Sequence, residues 1–339
     1  MQTSNDIVAT NSASALYRKL SVLGDESYTL EACERFAAQI EEIKRLKVER
    51  SAVILAHNYQ RPEIFEVADF IGDSLELARK ARDVSDADVI VFCGVHFMAE
   101  TAKVFNPERK VLLPDMRAGC SLADSVTAEA LVERKAELKA LYPDLKVVSY
   151  VNCTADVKAV SDACCTSANA VRIVEAIDSE HILFVPDQNL ANYVQSQSPK
   201  QIISWDGNCY VHHQITPEEV ERVKRSIPGI KVLAHPECRK DVLALADAVL
   251  STSAMVRYAK TSDADKFLVV TECGLSDRLL MEIPEKRFFK ACRLCRYMKM
   301  ITLPNVLESL RHMRHEITLS DEVREGAQQA LERMLELSN

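Results

Sequence analysis

Glycine is scarce in this chain. There are 8 glycines in 339 residues, and no G-x-G-x-x-G or G-x-x-x-x-G-K-[ST] follows any strand-like run, which weakens a dinucleotide-binding or P-loop reading. Long apolar runs are also missing. Nothing approaches the ~20 residues of a membrane span, and the first residues lack a charged stretch leading into an apolar one. The chain therefore reads as cytosolic, with no membrane partner. Positive charge is not in excess: the net charge of −8 carries no electrostatic footprint for nucleic acid. That balance favours small-molecule chemistry.

Cysteine is what the chain has in quantity, with 11 residues. In a reducing compartment disulfides are not the default use of so many thiols. A free cysteine often serves as a small buried hydrophobe. That is the leading reading for most of Cys33, Cys93, Cys153, Cys164, Cys165, Cys238 and Cys273, which sit in apolar helical or strand-like runs. Some of the remainder must do chemistry.

Residues 1–28 are polar without a clear apolar period and are expected to form a loose extension. "LEACERFAAQIEEIKRLK" from Leu30 has helical apolar spacing. Short β-branched runs then alternate with helical stretches: "AVILAH", "DVIVFCG", "KVLLPD", "KVVSYV", "HILFVP", "QIISW", "KVLAH" and "KFLVVT". Continuous apolar strands separated by helices indicate βαβ units with buried parallel sheets.

Those units repeat. A strand ending in His57, Tyr150 or His235 is followed at +12 by Asp69, Asp162 or Asp247, and five residues later by Ser74, Ser167 or Thr252. Each unit then leads to a cysteine, Cys120, Cys209 or Cys295, lying 51, 47 and 48 residues after its Asp. Any three α/β units look alike at low detail, but three coincident landmarks favour a true triplication. The expected organisation is α/β, with three similar α/β/α domains carrying short parallel sheets around a pseudo-threefold axis. The units are 29–116, 117–203 and 204–290, and 291–339 forms a C-terminal segment that packs back on the first unit. Parallel sheets bind ligands at the carboxyl ends of their strands. His57, Tyr150 and His235 sit at such ends, with polar Tyr59, Asn152 and Glu237 two residues on. One central site lined from three sides follows, with three cysteines available to it.

Three separated thiolates suit a soft metal centre. Zinc usually takes four ligands and favours close CxxC pairs, whereas iron–sulfur clusters are held by thiolates, typically four. Three cysteines would leave one iron open to substrate. On spacing alone, such an open cluster and purely structural thiols stand as alternatives.

The segments "AHNYQRPEIFEVADFIGDSLELARKA", "FMAETAK", "AGCSLAD", "GNCYVH", "AHPEC", "STSAM" and "CRLCRYMKM" resemble the signature segments of the quinolinate synthases, from about Ser51 to Leu310. The resemblance implies three α/β/α domains around a 4Fe–4S cluster. It implies a transferase of de novo NAD biosynthesis that condenses iminoaspartate with dihydroxyacetone phosphate to quinolinate, phosphate and water. By motif, Cys120, Cys209 and Cys295 would ligate the cluster, whose open iron would act as Lewis acid. His57, Tyr59, Tyr150, Asn152, His212, His235 and Glu237 would line the pocket, and the hydroxyls of Ser74, Ser167, Ser251 and Thr252 would bind carboxylate or phosphate. Glu237 is the expected main base, assisted by Tyr59, His235 and His57. Because the imine hydrolyses readily, transient handover from an aspartate oxidase or dehydrogenase is the partner contact to look for.

Blander readings go to other residues. Asp69, Asp162 and Asp247 are expected to be caps or structural acceptors, "MKM" at 298–300 core packing near the cluster, and Trp205 a packed aromatic. His213 departs from the acidic residue frequent in the family and is expected at the surface without a role. Glu272 ranks below Glu237. Cys292, three residues before Cys295, has no counterpart in the other units. It is expected to neighbour the cluster and to form a reversible Cys292–Cys295 disulfide when the cluster is absent.

Overall fold

A computed structural model describes residues 4–338, with side chains from residue 12 onward. It contains three sheets, each of four parallel strands. The first comprises β1 (Ala52–His57), β2 (Phe70–Gly72), β3 (Val89–Cys93) and β4 (Lys110–Leu112) in the order β2-β1-β3-β4. The second comprises β5 (Lys146–Tyr150), β6 (Ala163–Cys165), β7 (His181–Val185) and β8 (Gln201–Ser204) in the order β6-β5-β7-β8. The third comprises β9 (Lys231–Ala234), β10 (Ala248–Val249), β11 (Lys266–Val270) and β12 (Arg287–Lys290) in the order β10-β9-β11-β12. Helices cover both faces, which is why the central strands are apolar on both sides: Ile54, Leu55, Ile90, Val91, Val147, Val148, Leu233 and Val269 are all fully buried.

The repeat is visible in register. Leu55 pairs with Phe70, Val148 with Ala163 and Leu233 with Ala248, an offset of 15 residues each time. The repeated Asp explains that offset. One carboxylate oxygen of Asp69, Asp162 and Asp247 accepts from the backbone N–H of Ile54, Val147 and Val232 at 2.8, 2.9 and 2.8 Å. In turn the backbone N–H of each Asp donates to the carbonyl of that same residue. A lysine neutralises each carboxylate: Lys47 at 2.6 Å, Lys135 at 3.1 Å and Lys231 at 2.9 Å. These aspartates are sheet clasps at the end of the unit remote from the strand termini that carry His57, Tyr150 and His235. The structural reading given to them above agrees with their geometry.

The start of the chain differs from expectation. Ser4–Leu20 is a helix, followed by a 3-10 turn at Ser21–Leu23. Ala13, Leu16 and Leu20 are buried as this helix packs on Leu30–Glu49. Among the described side chains these three apolar positions at helical spacing in a polar stretch are too few to register as a period, yet they dock the helix on its neighbour. The helix Leu30–Glu49 itself starts as expected, with Thr29 Oγ1 accepting from Ala32 N at 3.1 Å.

The C-terminal segment divides its packing. Leu303–His312 lies on Leu30–Glu49, with Arg311 paired to Glu42 at 2.6 Å. Asp321–Leu337 instead packs on Ala155–Ala159 and β6 of the second unit. Gly326 makes that second contact possible, because a Cβ there would meet the Cβ and carbonyl oxygen of Ala159 at 2.9 Å. Gly326→Val therefore lowers stability by about 1–3 kcal/mol through overpacking, read as a reduced midpoint in denaturant.

Candidate active site

The carboxyl ends of β1, β5 and β9 converge on one cavity. Of the residues singled out in the sequence, His57, Tyr59, Ser74, Cys120, Tyr150, Asn152, Ser167, Cys209, His212, His235, Glu237, Thr252 and Cys295 all line it. Ser251 does not. Its hydroxyl donates to Asp73 Oδ2 at 3.0 Å, one layer behind the wall, where it supports the cap of the helix Ser74–Arg82. Asp73 and Glu272 complete the polar lining, and Phe97, Met98 and Met298 supply apolar wall.

Glu237 is the electrostatic centre. Its Oε2 lies 2.8 Å from His212 Nδ1 and 3.2 Å from His235 Nδ1, with all three side chains almost fully buried. Burial by itself would raise this carboxyl, but His212 and then His235 outweigh it and hold Glu237 well below the usual carboxylate range. The His212 approach is close yet poorly directed, so Nδ1 has no aligned hydrogen bond. The two imidazoles stack with ring centroids 4.5 Å apart and planes inclined by 20°.

The first and third units build their strand-end histidines alike. The backbone N–H two residues on turns back to the ring: Tyr59 N donates to His57 Nδ1 at 3.2 Å, and Glu237 N to His235 Nδ1 at 3.4 Å. In His57 this places the remaining ring proton on Nε2. Burial, then the neighbouring His235, push His57 down to about 3, so it is neutral at ordinary pH. Tyr59 is raised well above its usual value, chiefly by burial, and remains a phenol. Its hydroxyl lies 2.6 Å from Thr271 Oγ1, which in turn is 2.9 Å from His212 Nε2.

Two of these residues escaped the sequence reading. Thr271 is fully buried immediately after β11, and its position at a strand end was the available signal. Asp73 carries the signature D-x-x-E, and the structure shows the capping box, with Asp73 Oδ1 accepting from Glu76 N at 3.0 Å and Glu76 Oε2 from Asp73 N at 3.1 Å. The unit seam is closed by Asn58, also buried, whose Nδ2 donates to Thr252 Oγ1 at 2.7 Å.

Cys120, Cys209 and Cys295 are free and half-buried on the same cavity. Burial raises all three thiols, Cys120 to about 12. Beyond burial, Cys295 raises Cys120 and Cys120 raises Cys209. Thiols that oppose each other's ionisation are matched to a cation, which deprotonates a coordinating thiol outright. One buried acceptor atom on the wall, Asn152 Oδ1, is also unpaired. These donors fit an iron–sulfur cluster with room beside it for a polar ligand. The ligand atoms of Cys209, His212 and Glu237 additionally lie within 4.8 Å of one another.

The other cysteines separate cleanly. Cys33, Cys93, Cys153, Cys164, Cys165 and Cys238 are free and buried. Cys292 does not pair with Cys295: it is bonded to Cys273. A parallel bridge between Glu272 and Arg293 sets the Cys273 and Cys292 Cα atoms 5.2 Å apart, while Cys295 faces the cavity. That correction also removes Cys273 from the core-filling set. Met298 is buried, Trp205 Nε1 donates to Ser125 O at 2.9 Å, and His213 Nδ1 lies 3.1 Å from Asn189 Nδ2, away from the cavity lining. No described helix is long and apolar enough to cross a membrane.

Fold and site together define an enzyme of a triplicated α/β/α class, with one thiol-lined cavity where its units meet. Residues 41–336 match the family model described as quinolinate synthetase A protein, NadA. Over 299 residues the chain is 52% identical to the quinolinate synthase of Dehalococcoides mccartyi strain 195, covering 88% of this chain and 97% of that one. It is 50% identical over 304 residues to the quinolinate synthase of Thermodesulfovibrio yellowstonii (88% and 98%), and 50% identical over 300 residues to quinolinate synthase 1 of Methanosarcina acetivorans (87% and 96%). The chain belongs to the quinolinate synthetase A family. Membership places it among the enzymes that make quinolinate for NAD biosynthesis.

Proposed function

We propose that the chain condenses iminoaspartate with dihydroxyacetone phosphate to quinolinate, releasing phosphate and water, at a 4Fe–4S cluster held by Cys120, Cys209 and Cys295. The observation that carries this reading is the convergence of one cysteine from the loop after each sheet on a cavity that also holds Glu237 and its two imidazoles. When bound, the cluster supplies a Lewis-acidic iron with one position open to substrate.

The chain's own residues supply proton movement and orientation. Glu237 is kept ionised by His212 and His235 and takes the proton from carbon next to a carbonyl or imine. His57, neutral with its proton on Nε2, donates to a substrate oxygen. The Tyr59 phenol, held through Thr271, delivers a proton to a departing hydroxyl. Ser74 and Thr252 begin the helices Ser74–Arg82 and Thr252–Thr261; the second has no side-chain cap, so its free N–H groups and positive partial charge receive carboxylate or phosphate, with the Ser74 hydroxyl on the same wall. Ser167, Tyr150 and Asn152 face the same space from the second unit and orient the other end. A protein of net charge −8 binds two anionic substrates only through such local arrangements.

Purification without oxygen, reconstitution with iron and sulfide, and assay of quinolinate from the two substrates test the reading. A brown protein with an iron-to-sulfide ratio near one and quinolinate turnover is expected. Cluster-loaded protein without turnover sinks the catalytic assignment. Metal bound without sulfide points instead to a single ion at Cys209, His212 and Glu237.

A further inference from the structure

The three loops that bring the cysteines to the cavity are docked by one repeated backbone bond. The first N–H of the helix after β3, β7 or β11 donates to the carbonyl two residues before the cysteine. His96 N donates to Ala118 O at 2.7 Å, Gln188 N to Gly207 O at 2.7 Å, and Cys273 N to Arg293 O at 3.2 Å. The residue just before that helix is its N-cap, and the register of the three sheets makes Val95, Asp187 and Glu272 equivalent.

In two units this residue is a carboxylate, fully buried in both, and it does the same two things. Asp187 Oδ1 accepts from Leu190 N at 2.8 Å while Oδ2 accepts from Cys209 N at 3.0 Å. Glu272 Oε2 accepts from Gly274 N at 2.6 Å while Oε1 accepts from Cys295 N at 3.0 Å. One oxygen caps the helix and the other holds the backbone N–H of the cysteine. Val95 can do neither, so the Cys120 loop has only the backbone bond in common with the others. Its additional support converges on Asp115, from Arg117 N and the Arg117 guanidinium and, at 3.4 Å, from Asn305 Nδ2.

We infer that Asp187 and Glu272 are positioning residues that preset Cys209 and Cys295 for the metal group, leaving Cys120 as the least constrained of the three thiol ligands. Each carboxylate opposes ionisation of the thiol whose backbone it holds, Asp187 that of Cys209 and Glu272, though paired with Lys299 at 3.3 Å, that of Cys295. Its retention in two of three equivalent places follows from the geometry it enforces. Backbone N–H groups that are committed to a fixed acceptor hold their residues at defined dihedrals before the metal arrives.

This inference rests on the cluster reading above, and the test separates the two. Wild-type protein, Asp187→Asn and Glu272→Gln are reconstituted anaerobically, treated with iodoacetamide, and the modified cysteines are identified by mass spectrometry over time. Each amide keeps the size of the side chain but leaves only one acceptor oxygen for two N–H groups. In Asp187→Asn, Cys209 is expected to react about 10–100-fold faster than in wild type, while Cys295 stays protected; Glu272→Gln gives the reverse pattern. Within the wild-type protein Cys120 is expected to react first, a measurement that stands if a variant fails to fold. Wild type that takes up no iron and sulfide refutes the cluster reading. Wild type that loads normally, with both variants exposing all three cysteines equally or none, or with Cys120 reacting last, overturns the inference.

Discussion

Glu237→Gln is expected to lower quinolinate formation by about 10²–10⁴-fold, the usual contribution of a positioned acid or base, while iron and sulfide content stay at the wild-type level. The substitution conserves shape, so packing around the site is retained. What changes is charge. In the native site the carboxylate lies against His212 and His235, at 2.8 and 3.2 Å, and that pairing keeps it unprotonated and so open to a proton. An amide cannot accept one. Turnover within a factor of three of wild type would rule out Glu237 as the base and shift attention to Glu272 and Asp73, the other buried carboxylates on the wall. The low position of Glu237 also has a sign. A carboxyl held below its unfolded value contributes stability that is present above the unfolded value and is lost as pH falls through the folded one. Acid therefore threatens fold and activity together at this residue.

Cys120→Ser, Cys209→Ser and Cys295→Ser are each expected to remove the cluster and take quinolinate formation below detection. Cys292→Ser is the informative control. Cys292 is bonded to Cys273 and not directed at the cavity, so its loss should leave the cluster in place and free one additional thiol, measurable by alkylation of the denatured chain without reductant. Cys165→Ser, at a fully buried free thiol, should likewise keep the cluster. Loss of the cluster in Cys292→Ser together with its retention in Cys295→Ser would reverse the assignment.

The sequence made the repeat legible because its landmarks recur for physical reasons that act at fixed distances. Asp69, Asp162 and Asp247 recur because each clasps the same point of a central strand. The strand-end residues recur because parallel sheets present them together. The N-terminal helix was not legible, since among its residues with described side chains Ala13, Leu16 and Leu20 alone mark a buried side. Two features of the site lay beyond a linear reading. Thr271 matters through what it touches, a phenol and an imidazole from positions far away in the chain. Cys273 looked like any apolar-run cysteine, and its bond to Cys292 depends on a bridge between Glu272 and Arg293 that spacing does not reveal. The resemblance to the family supplied His212 by motif, but not the stacking on His235 that ties it to Glu237.

The aspartate clasps have a consequence for how the molecule comes into being. Each joins residues only 15 apart, a loop short enough to close quickly and at little entropic cost. Each unit therefore has the means to register its own first strand pair without waiting for the others. The cavity has no such local help: its wall is drawn from His57 through Met298, so it exists only after three independently assembled units have met. Chemistry is thus gated by assembly, and a chain caught between those stages would own every element of the fold and no place to bind its substrates.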